Sequence, residues 1–317
     1  MTKVLVVGGA GYIGGAVTDA LLAGHIQFTV YDNLLYEPHY LKPVDFVYGD
    51  VRNTKLLKQI LSNYTHVVWL AAIVGDGACA VVPKLTTEVN TEAVLWLVNN
   101  FAGRIIYTST CSVYGEHNEE VNEEGKLNPL SLYAKTKSEA EGYLLSWPNS
   151  LVFRLGTSFG LSDSYSRPRM DLVVNQMSVA ALTKGEIMLY GGEQWRPLIH
   201  VKDIASAIVE NLDRPVTGTY NIASVNLQIK TLAATCAGIT KCNVICSELE
   251  SKDTRNYRVS TKKALRDRIF NPYTVYSIAD GIREFVNLIH SSRIKDTENN
   301  LYFNVRHMSE LKENGIS

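Results

Sequence analysis

Short apolar, β-branched runs alternate with helical patterns through the first half of the chain. Strand patterns occur at residues 3–7, 28–31 and 46–48, and helical patterns occur at 18–23 and 53–61. Strands separated by helices at such short intervals predict a parallel, doubly wound sheet.

The next run, residues 66–72, is apolar almost throughout, as expected for a central strand buried on both faces. A loop over 73–83 is predicted to follow it, then a helix over 86–101 and a strand over 104–108. Ligands of such sheets bind outside the carboxyl ends of the strands. We therefore expect the chemistry in the loops at 73–83 and 109–131.

The second half of the chain loses this regular alternation. A strand is predicted at 151–154, a loop at 156–170, a helix at 171–184 and another helix from about Asp203. The last stretch, 291–317, is polar and weakly periodic. It predicts either a surface helix or a mobile tail, and no role is assigned to it.

The turn after the first strand is rich in glycine. Residues 8–14 read Gly-Gly-Ala-Gly-Tyr-Ile-Gly. A buried strand that runs through such a turn into a helix presents backbone N–H groups to a pyrophosphate. Gly8 would make the tight turn, Gly11 would let the phosphates approach, and Gly14 would let the helix pack on the strand. Asp32, at the end of the second strand, stands about where a carboxylate binds the adenosine ribose diol. A tight turn without a ligand is the alternative.

These patterns predict an α/β fold of the Rossmann type, a doubly wound parallel sheet with a smaller mixed α/β substrate-binding region. We expect a dinucleotide-binding domain at 1–158, which also takes strands and helices from later segments, a substrate region at 159–290 and a polar tail at 291–317.

Composition changes this picture little. The chain has 317 residues, of which 46% are hydrophobic and 20% charged, an ordinary globular balance. A net charge of −1 predicts neither nucleic acid nor an anionic membrane as a partner. No apolar run approaches the roughly 18 residues that a spanning helix needs. No signal peptide is recognisable before the first strand, and we expect a cytoplasmic protein.

The five cysteines, at 79, 111, 236, 242 and 246, lack the spacing of a metal site. We expect five reduced thiols and no metal.

Tyr133 and Lys137 are the second chemical signal. Four residues apart on a helix, they would share one face. A tyrosine of ordinary pKa is a poor base at neutral pH, but a nearby ammonium and a positively charged nicotinamide would lower its pKa. Tyr133 would then take a proton from a sugar or alcohol hydroxyl while hydride leaves for the cofactor. A surface pair on a helix is the alternative.

Hydroxyl side chains follow the strand that ends near residue 108. The run Thr108-Ser109-Thr110-Cys111-Ser112 would bring hydroxyls to the same substrate oxygen. Such residues at a strand end also commonly bond only to the local backbone.

Residues 1 to about 290 resemble an extended short-chain dehydrogenase/reductase of the nucleotide-sugar epimerase/dehydratase kind. The motifs that carry the resemblance are, in chain order, 8–14, Tyr-Asp-Asn at 31–33, Gly-Asp-Val at 49–51, Leu-Ala-Ala at 70–72, Asn90, Thr-Ser-Thr-Cys-Ser-Val-Tyr-Gly at 108–115, Tyr133 with Lys137, Arg-Pro-Leu-Ile-His-Val-Lys-Asp at 196–203 and Tyr-Asn-Ile-Ala at 220–223.

The resemblance implies NAD as cofactor and a role for each matching residue. Tyr133 would be the catalytic base and acid, Lys137 would hold the nicotinamide ribose, and Thr110, with Ser109 beside it, would bond the reacting hydroxyl. Asp32 would favour NAD over NADP, because a 2′-phosphate would meet its carboxylate. Together with Tyr133 and Lys137, the implied cofactor-binding residues are Gly8, Gly11, Tyr12, Ile13, Gly14, Asp32, Asn33, Asp50, Val51, Leu70, Ala71, Ala72, Asn90 and Thr108.

The same resemblance implies a nucleotide-sugar substrate and a homodimer. Asn175 and Arg196 match positions that grip the sugar's diphosphate, while Asp253 and Arg255 resemble a late nucleotide-binding segment. An ordinary surface or loop role is the alternative for all four. The dimer would pack through the helix that bears Tyr133 and the helix around 91–100.

Departures from the family pattern narrow the reaction. The 4,6-dehydratases carry an Asp-Glu pair where this chain has Cys111 and Ser112, and neither residue is a competent acid or base at neutral pH. Thr157 and Glu250 depart from the pattern of many UDP-sugar epimerases. The segment from Arg154 to Asn175 looks more like a subgroup that acts on less common sugars, including GDP-linked ones. Within it, two arginines, at 167 and 169, would either meet a phosphate or belong to a solvated loop.

The sequence therefore predicts an NAD-dependent nucleotide-sugar epimerase that transiently oxidises a ring hydroxyl, at C4. A net C4 dehydrogenase or ketoreductase is one alternative, because it needs the same Tyr133, Lys137 and Thr110. A non-catalytic dinucleotide sensor is the other, and the intact set of three residues argues against it.

Overall fold

The structure is a computed structural model that describes residues 2–247, 255–273 and 275–315. Its strands are β1 (Lys3–Val7), β2 (Gln27–Asp32), β3 (Phe46–Tyr48), β4 (His66–Trp69), β5 (Arg104–Thr110), β6 (Glu116–Val121), β7 (Ser150–Leu155), β8 (Thr157–Phe159), β9 (Glu186–Tyr190), β10 (Trp195–His200), β11 (Gly218–Ile222), β12 (Val225–Gln228), β13 (Asn243–Ser247) and β14 (Asn256–Val259).

The helices are α1 (Tyr12–Ala23), α2 (Thr54–Leu61), α3 (Asp76–Val81), α4 (Pro83–Thr87), α5 (Ala93–Asn100), α6 (Leu132–Leu145), α7 (Val173–Lys184), α8 (Val201–Glu210), α9 (Ile229–Thr240), α10 (Lys262–Arg266), α11 (Ile278–His290) and α12 (Asn304–Glu313). A π-helical turn at Glu88–Glu92 joins α4 to α5, and 3₁₀ turns occur at Cys111–Tyr114 and Asn300–Tyr302.

Seven parallel strands form the central sheet of the described chain, in the order β11-β7-β5-β4-β1-β2-β3. The predicted fold class is confirmed. The order reverses between β1 and β4, whose registers align Val6 with Val68. That switch point is where an open α/β sheet leaves a crevice at the carboxyl ends of its strands.

Alternation along β1 explains why helices cover both faces of the sheet. Val4 and Val6 lie in one apolar cluster, with residues of α1 and α8, while Leu5 and Val7 lie in another, with residues of α5 and α6. Successive side chains of a strand point to opposite faces, so a strand that is apolar at every position needs a helical layer on each side.

The second half of the chain builds a smaller region beside this sheet. β12, β10 and β8 form one sheet, β13 pairs with β9, and α7, α9 and α11 contribute to a separate apolar cluster. The two regions are interleaved, because β11 belongs to the central sheet and β14 pairs with β6.

Several predicted boundaries differ from the structure. The strand predicted at 66–72 ends at Trp69, because the N–H groups of Leu70 and Ala71 both donate to the Val7 carbonyl and turn the backbone. The loop predicted at 73–83 contains α3, and the loop predicted at 109–131 contains β6.

The C-terminal stretch contains a helix, α12, which packs on α3. Its Met308 is fully buried in the cluster that also holds Leu5 and Val7. One buried apolar side chain gives almost no periodic signal, so the sequence alone did not indicate that this helix is docked. Across the described residues, each helix is too short or too polar to cross a membrane.

A buried lysine fastens the loop after β2 to the rest of the fold. Lys42 Nζ donates to Asp19 Oδ1 at 2.6 Å and Asp163 Oδ2 at 2.8 Å, and also to Thr18 Oγ1 and the Gly15 carbonyl. The Asp163 side chain is 1% exposed and that of Asp19 is 56% exposed. The ion pair with Asp163 therefore joins the loop after β2 to a loop of the second half.

We expect Asp163→Asn to lower the free energy of unfolding by about 3 kcal/mol, because it leaves a buried ammonium without its buried partner. Asp19→Asn is the matched control, since it removes a carboxylate from the same ammonium at an exposed position, and it should cost under about 1 kcal/mol. Urea unfolding of both variants measures the difference. Equal losses of unfolding free energy in the two variants would contradict the assignment of the Lys42–Asp163 pair as the more stabilising of the two ion pairs.

Candidate active site

A cleft of about 270 Å³ opens at the carboxyl edge of the central sheet. Its walls come from the turn after β1 and from the loops after β2 and β4. The end of β5, one face of α6 and the segments 155–158 and 167–172 complete them. Most of the predicted cofactor residues line it, namely Gly8, Gly11, Tyr12, Ile13, Gly14, Asp32, Asn33, Val51, Leu70, Ala71, Ala72, Thr108, Tyr133 and Lys137.

The glycine turn is shaped by close backbone contacts. Gly8 has φ +83°, and a Cβ there would lie 2.4 Å from the Ala71 nitrogen. A Cβ on Gly14 would lie 2.5 Å from the Gly9 carbonyl group, so Gly14 packs on the turn itself. α1 then begins after Gly11 without a side-chain cap. Uncapped N–H groups at a helix start suit a phosphate anion.

The Asp32 carboxylate is fixed beside this turn. Its Oδ2 accepts from Ala10 N at 3.1 Å and its Oδ1 from Leu34 N at 2.8 Å. Burial raises the pKa of Asp32, while the N–H groups of Leu34 and Ala10 act in the opposite direction. The turn, the open helix start and the anchored carboxylate together fit a dinucleotide with a free ribose diol.

Asp50 and Asn90 are predicted cofactor residues that do not line the cleft. Asp50 Oδ2 accepts from Asn33 Nδ2 at 3.0 Å. Asn90 accepts from Ile73 N at 2.8 Å and donates to the Ile73 carbonyl at 3.0 Å. Both side chains hold residues that do line the cleft.

Lys137 and Tyr133 lie on the face of α6 that forms a wall of the cleft. Ser131 caps the N-terminus of α6, and its Oγ accepts from Ala134 N. Lys137 is 2% exposed and donates from Nζ to the Thr108 carbonyl at 2.9 Å. Burial lowers the pKa of Lys137 to about 8, with Cys79 and Glu141 acting in the opposite direction.

Burial dominates the electrostatics of Tyr133. It raises the pKa of the phenol above its usual value, and the Cys79 thiol and the Asp76 carboxylate add to the rise. The Arg169 guanidinium and the Thr110 hydroxyl lower the pKa. The protein by itself therefore favours the neutral phenol.

Thr110 and Ser109 have different surroundings, although both contact the cleft. Thr110 Oγ1 accepts from Ser112 N at 3.1 Å at the start of the 3₁₀ turn. Ser109 Oγ donates to Glu141, whose carboxylate is paired with Arg154 at 2.7 Å. The Thr110 hydroxyl lowers the pKa of the Tyr133 phenol, and Ser109 belongs to a buried ion-pair network.

The predicted substrate residues are not gathered in one place. Asn175 is fully buried and bonds to Gly160 N at 2.9 Å and to the Arg169 carbonyl at 2.8 Å. Arg196 donates to the carbonyls of Trp195 and Arg255. Neither Asn175 nor Arg196 lines the cleft, whereas Arg255 does.

Arg255 also forms an ion pair with Asp76 at 3.4 Å, which joins the two sides of the cleft. Asp253, the fourth predicted substrate residue, lies outside the described residues.

Arg167 and Arg169 are buried and line the cleft. The sequence had left two interpretations of them open, a phosphate site or a solvated loop. Arg169 pairs with Asp171 at 2.7 Å, and the Arg167 backbone N–H donates to Glu37 at 3.1 Å. Burial raises the pKa of Glu37 to about 8, while the Arg167 guanidinium lowers it.

Sequence reasoning missed some lining residues, namely Tyr36, Glu37, Arg52, Tyr257 and Asn304, and did not assign Ser112 to the site. Tyr36, Glu37 and Asn304 lie outside the motifs recognised in the sequence, whereas Ser112 lies within one and Tyr257 lies two residues from the predicted Arg255. Within the described chain no cluster of three or more His, Cys, Asp or Glu side chains is arranged to hold a metal ion.

Comparison with known proteins identifies the family. The model of the NAD dependent epimerase/dehydratase family matches residues 4–223, more than half of the chain. The chain belongs to this family. It is therefore an NAD-dependent enzyme of the extended short-chain dehydrogenase/reductase type, as predicted.

One similar curated protein is the putative UDP-arabinose 4-epimerase 2 of Arabidopsis thaliana, 28% identical over 170 residues, or 48% of this chain. The match spans 41% of that protein's length, so the chain corresponds to less than half of it.

Two solved structures are similar to this chain in fold. The UDP-glucose 4-epimerase of Thermus thermophilus, in complex with NAD, has a TM-score of 0.77 at 24% identity and covers 90% of this chain and 99% of its own. DesIV of Streptomyces venezuelae, a dTDP-glucose 4,6-dehydratase, has a TM-score of 0.79 at 24% identity. It covers 92% of this chain and 98% of its own. At these identities the likeness shows the fold.

We expect Gly8→Ala to weaken NAD binding at least tenfold, because a methyl group at φ +83° would meet the Ala71 backbone. Gly238→Ala is the control, since a Cβ there meets nothing within 4 Å, and it should leave binding unchanged. Isothermal titration with NAD measures both. Unimpaired binding by Gly8→Ala would contradict the assignment of the glycine turn.

Lys137 gives a pH-dependent prediction. Its charged form is disfavoured in the folded protein, with a pKa of about 8, against roughly 10.4 unfolded. The penalty is fully present below pH 8 and is relieved between about pH 8 and 10.4, so stability rises with pH in this window.

Relative to Lys137→Met, the wild type should therefore gain about 1.4 kcal/mol of unfolding free energy per pH unit across that window. Lys135→Met, at an exposed position of α6, is the matched control, because it removes an ammonium that is not buried. Urea unfolding from pH 7 to 10.5 measures both, and a flat difference for Lys137→Met would mean that its ammonium is not desolvated.

Proposed function

We propose that this chain is an NAD-dependent nucleotide-sugar 4-epimerase. The observation that carries the proposal is that Tyr133, Lys137 and Thr110 line the same cleft as the glycine turn and Asp32. A base, its supporting hydroxyl and a dinucleotide site thus share one cavity. The family, which unites NAD-dependent epimerases and dehydratases, agrees with this chemistry.

In the proposed reaction, Tyr133 takes the proton of the C4 hydroxyl, and Thr110 Oγ1 holds the C4 oxygen. NAD, when bound, would accept the C4 hydride and return it to the other face of the ketone. Tyr133 then gives the proton back to the C4 oxygen. No atoms or electrons are gained or lost overall. Gly8, Gly14, Asp32 and Lys137 would hold the dinucleotide in place.

In the protein alone Tyr133 is a neutral phenol, so its action as a base depends on a further positive charge in the cleft. Burial holds its pKa high, and the Arg169 guanidinium and the Thr110 hydroxyl lower it only in part. A further positive charge beside the phenol favours the phenolate, as a nicotinamide cation would. We propose that proton removal is thereby confined to the loaded cleft.

The environment of Cys111 argues for epimerase over 4,6-dehydratase. Cys111 is fully buried, its thiol donates to the Arg154 carbonyl at 3.2 Å, and burial raises its pKa. Ser112 Oγ lies 3.2 Å from the Tyr257 hydroxyl. Neither position offers a carboxyl group to eliminate water, so the positions that would distinguish a dehydratase lack its chemistry.

A net C4 dehydrogenase or ketoreductase remains the second candidate, because it needs the same three residues.

We also propose the homodimer, packed through α5 and α6. Exposed leucines on these two helices, Leu95 and Leu145, support it.

The test is NMR of the purified protein with NAD and a panel of UDP-, GDP-, CDP- and dTDP-sugars. A new sugar isomer of unchanged mass, without net NADH, is the expected result. Accumulation of NADH or of a keto-sugar would establish the dehydrogenase instead, and tight NAD binding without any turnover across the panel would favour the sensor.

In the same assay, Tyr133→Phe should reduce turnover by at least a thousandfold and leave NAD affinity within about threefold, because it removes only the proton-carrying oxygen. Tyr143→Phe, on the same helix, is the matched control and should keep activity. Turnover that survives Tyr133→Phe would show that another group is the base.

A further inference from the structure

The C-terminal segment, residues 299–313, lies over one edge of the cleft. α12 packs on α3, and a Cβ on Gly77 would lie 2.7 Å from a methyl group of Val305. Met308 is fully buried in an apolar cluster of the central sheet. The segment lies beyond the part of the chain that the family model matches, 4–223.

α12 contacts both loops that flank the cofactor side of the cleft. His307 Nε2 donates to the Leu35 carbonyl, in the loop after β2, at 2.8 Å. Asn304 Nδ2 donates to the Val74 carbonyl, in the loop after β4, at 2.9 Å. Leu35 and Val74 both line the cleft. One helix therefore bridges two loops that belong to different strands of the sheet.

Asn304 also holds the arginine-bearing loop of the second half. Its Oδ1 accepts from Arg167 Nη2, and its backbone N–H donates to Asp171 Oδ2 at 2.9 Å. Asp171 in turn pairs with Arg169. The Asn304 side chain thus joins two walls of the cleft, the loop after β4 and the segment 167–172, and the residue is 2% exposed.

Arg167 closes this arrangement from the other side. Its Nη1 donates to the Leu301 carbonyl, and its guanidinium lies 4.9 Å from the centre of the Tyr36 ring. Its backbone N–H donates to Glu37, on the loop after β2. The loop after β2, Arg167 and the C-terminal segment are therefore linked by a continuous set of contacts around the edge of the cleft.

We propose that residues 299–313 are a clasp on the cofactor cleft, with Asn304 and His307 as positioning residues that slow the release of NAD. The inference rests on the NAD-dependent function proposed above. In this proposal the dinucleotide leaves when the loops after β2 and β4 part, and the clasp joins these two loops directly. A buried hydrogen bond that is broken without replacement costs enough to change a dissociation rate roughly tenfold.

The test is the dissociation rate of NADH from the full chain, followed by its fluorescence in stopped flow after mixing with excess NAD. Asn304→Ala should release NADH roughly tenfold faster than the wild type. Ser309→Ala is the matched control, because its hydroxyl donates to the Val305 carbonyl within α12, and it should release NADH at the wild-type rate. Equal rates for the two variants would overturn the clasp.

A second pair of variants guards against misfolding of Asn304→Ala, which circular dichroism would detect. His307→Leu loses the bond to Leu35 and should release NADH faster, whereas His307→Gln keeps an N–H donor and should restore a slow rate. Equal rates for leucine and glutamine would also overturn the proposal.

The readout needs no sugar, so it separates the two proposals. A wild type that binds NADH but turns over no nucleotide sugar would refute the epimerase and leave the clasp fully tested. A wild type that binds no NADH would overturn both.

Discussion

The close approach of two backbones at the switch point of the sheet is the constraint on which the rest of the site depends. The Val7 carbonyl accepts both Leu70 N and Ala71 N, and Gly8 N donates to the Tyr31 carbonyl. These bonds pull the ends of β1, β2 and β4 together. A side chain at Gly8 would collide with the Ala71 backbone. The cleft proposed to hold the dinucleotide exists because three strand ends meet there without side chains between them.

Burial, more than any single charge, sets the pKa values of Tyr133 and Lys137 on α6. It raises the pKa of Tyr133 and lowers that of Lys137 to about 8. Both groups are therefore held toward their neutral forms before any ligand arrives. A charge brought into such a desolvated site changes the pKa of a neighbouring group more than it would in water. In the proposed mechanism, this arrangement couples the activation of Tyr133 to occupation of the cleft, because the protein alone does not ionise the phenol.

The second half of the chain contributes paired rather than free charge. Arg169 is buried against Asp171, and Arg167 lies beside Glu37. A buried guanidinium needs a partner, so these pairs fix the loop that carries them at the edge of the cleft. The C-terminal helix completes the pairing through Asn304. The walls of the cleft are thus linked by polar contacts that span more than one hundred residues of sequence, which makes the cleft a property of the whole chain.

The sheet, the glycine turn and the pair of Tyr133 with Lys137 could be predicted from the sequence, because local periodicity and spacing encode them. The strand Phe46–Tyr48 was predicted correctly to the residue. Which side chains reach the cleft depends instead on how distant segments pack. Asn175 and Arg196 match a family pattern, yet their side chains form hydrogen bonds with backbone groups, and Ser109 donates to Glu141. Asn304 reaches the cleft from a helix with one deeply buried apolar residue. Such placements rest on contacts between segments far apart in the chain, and those contacts leave no periodic trace in the sequence.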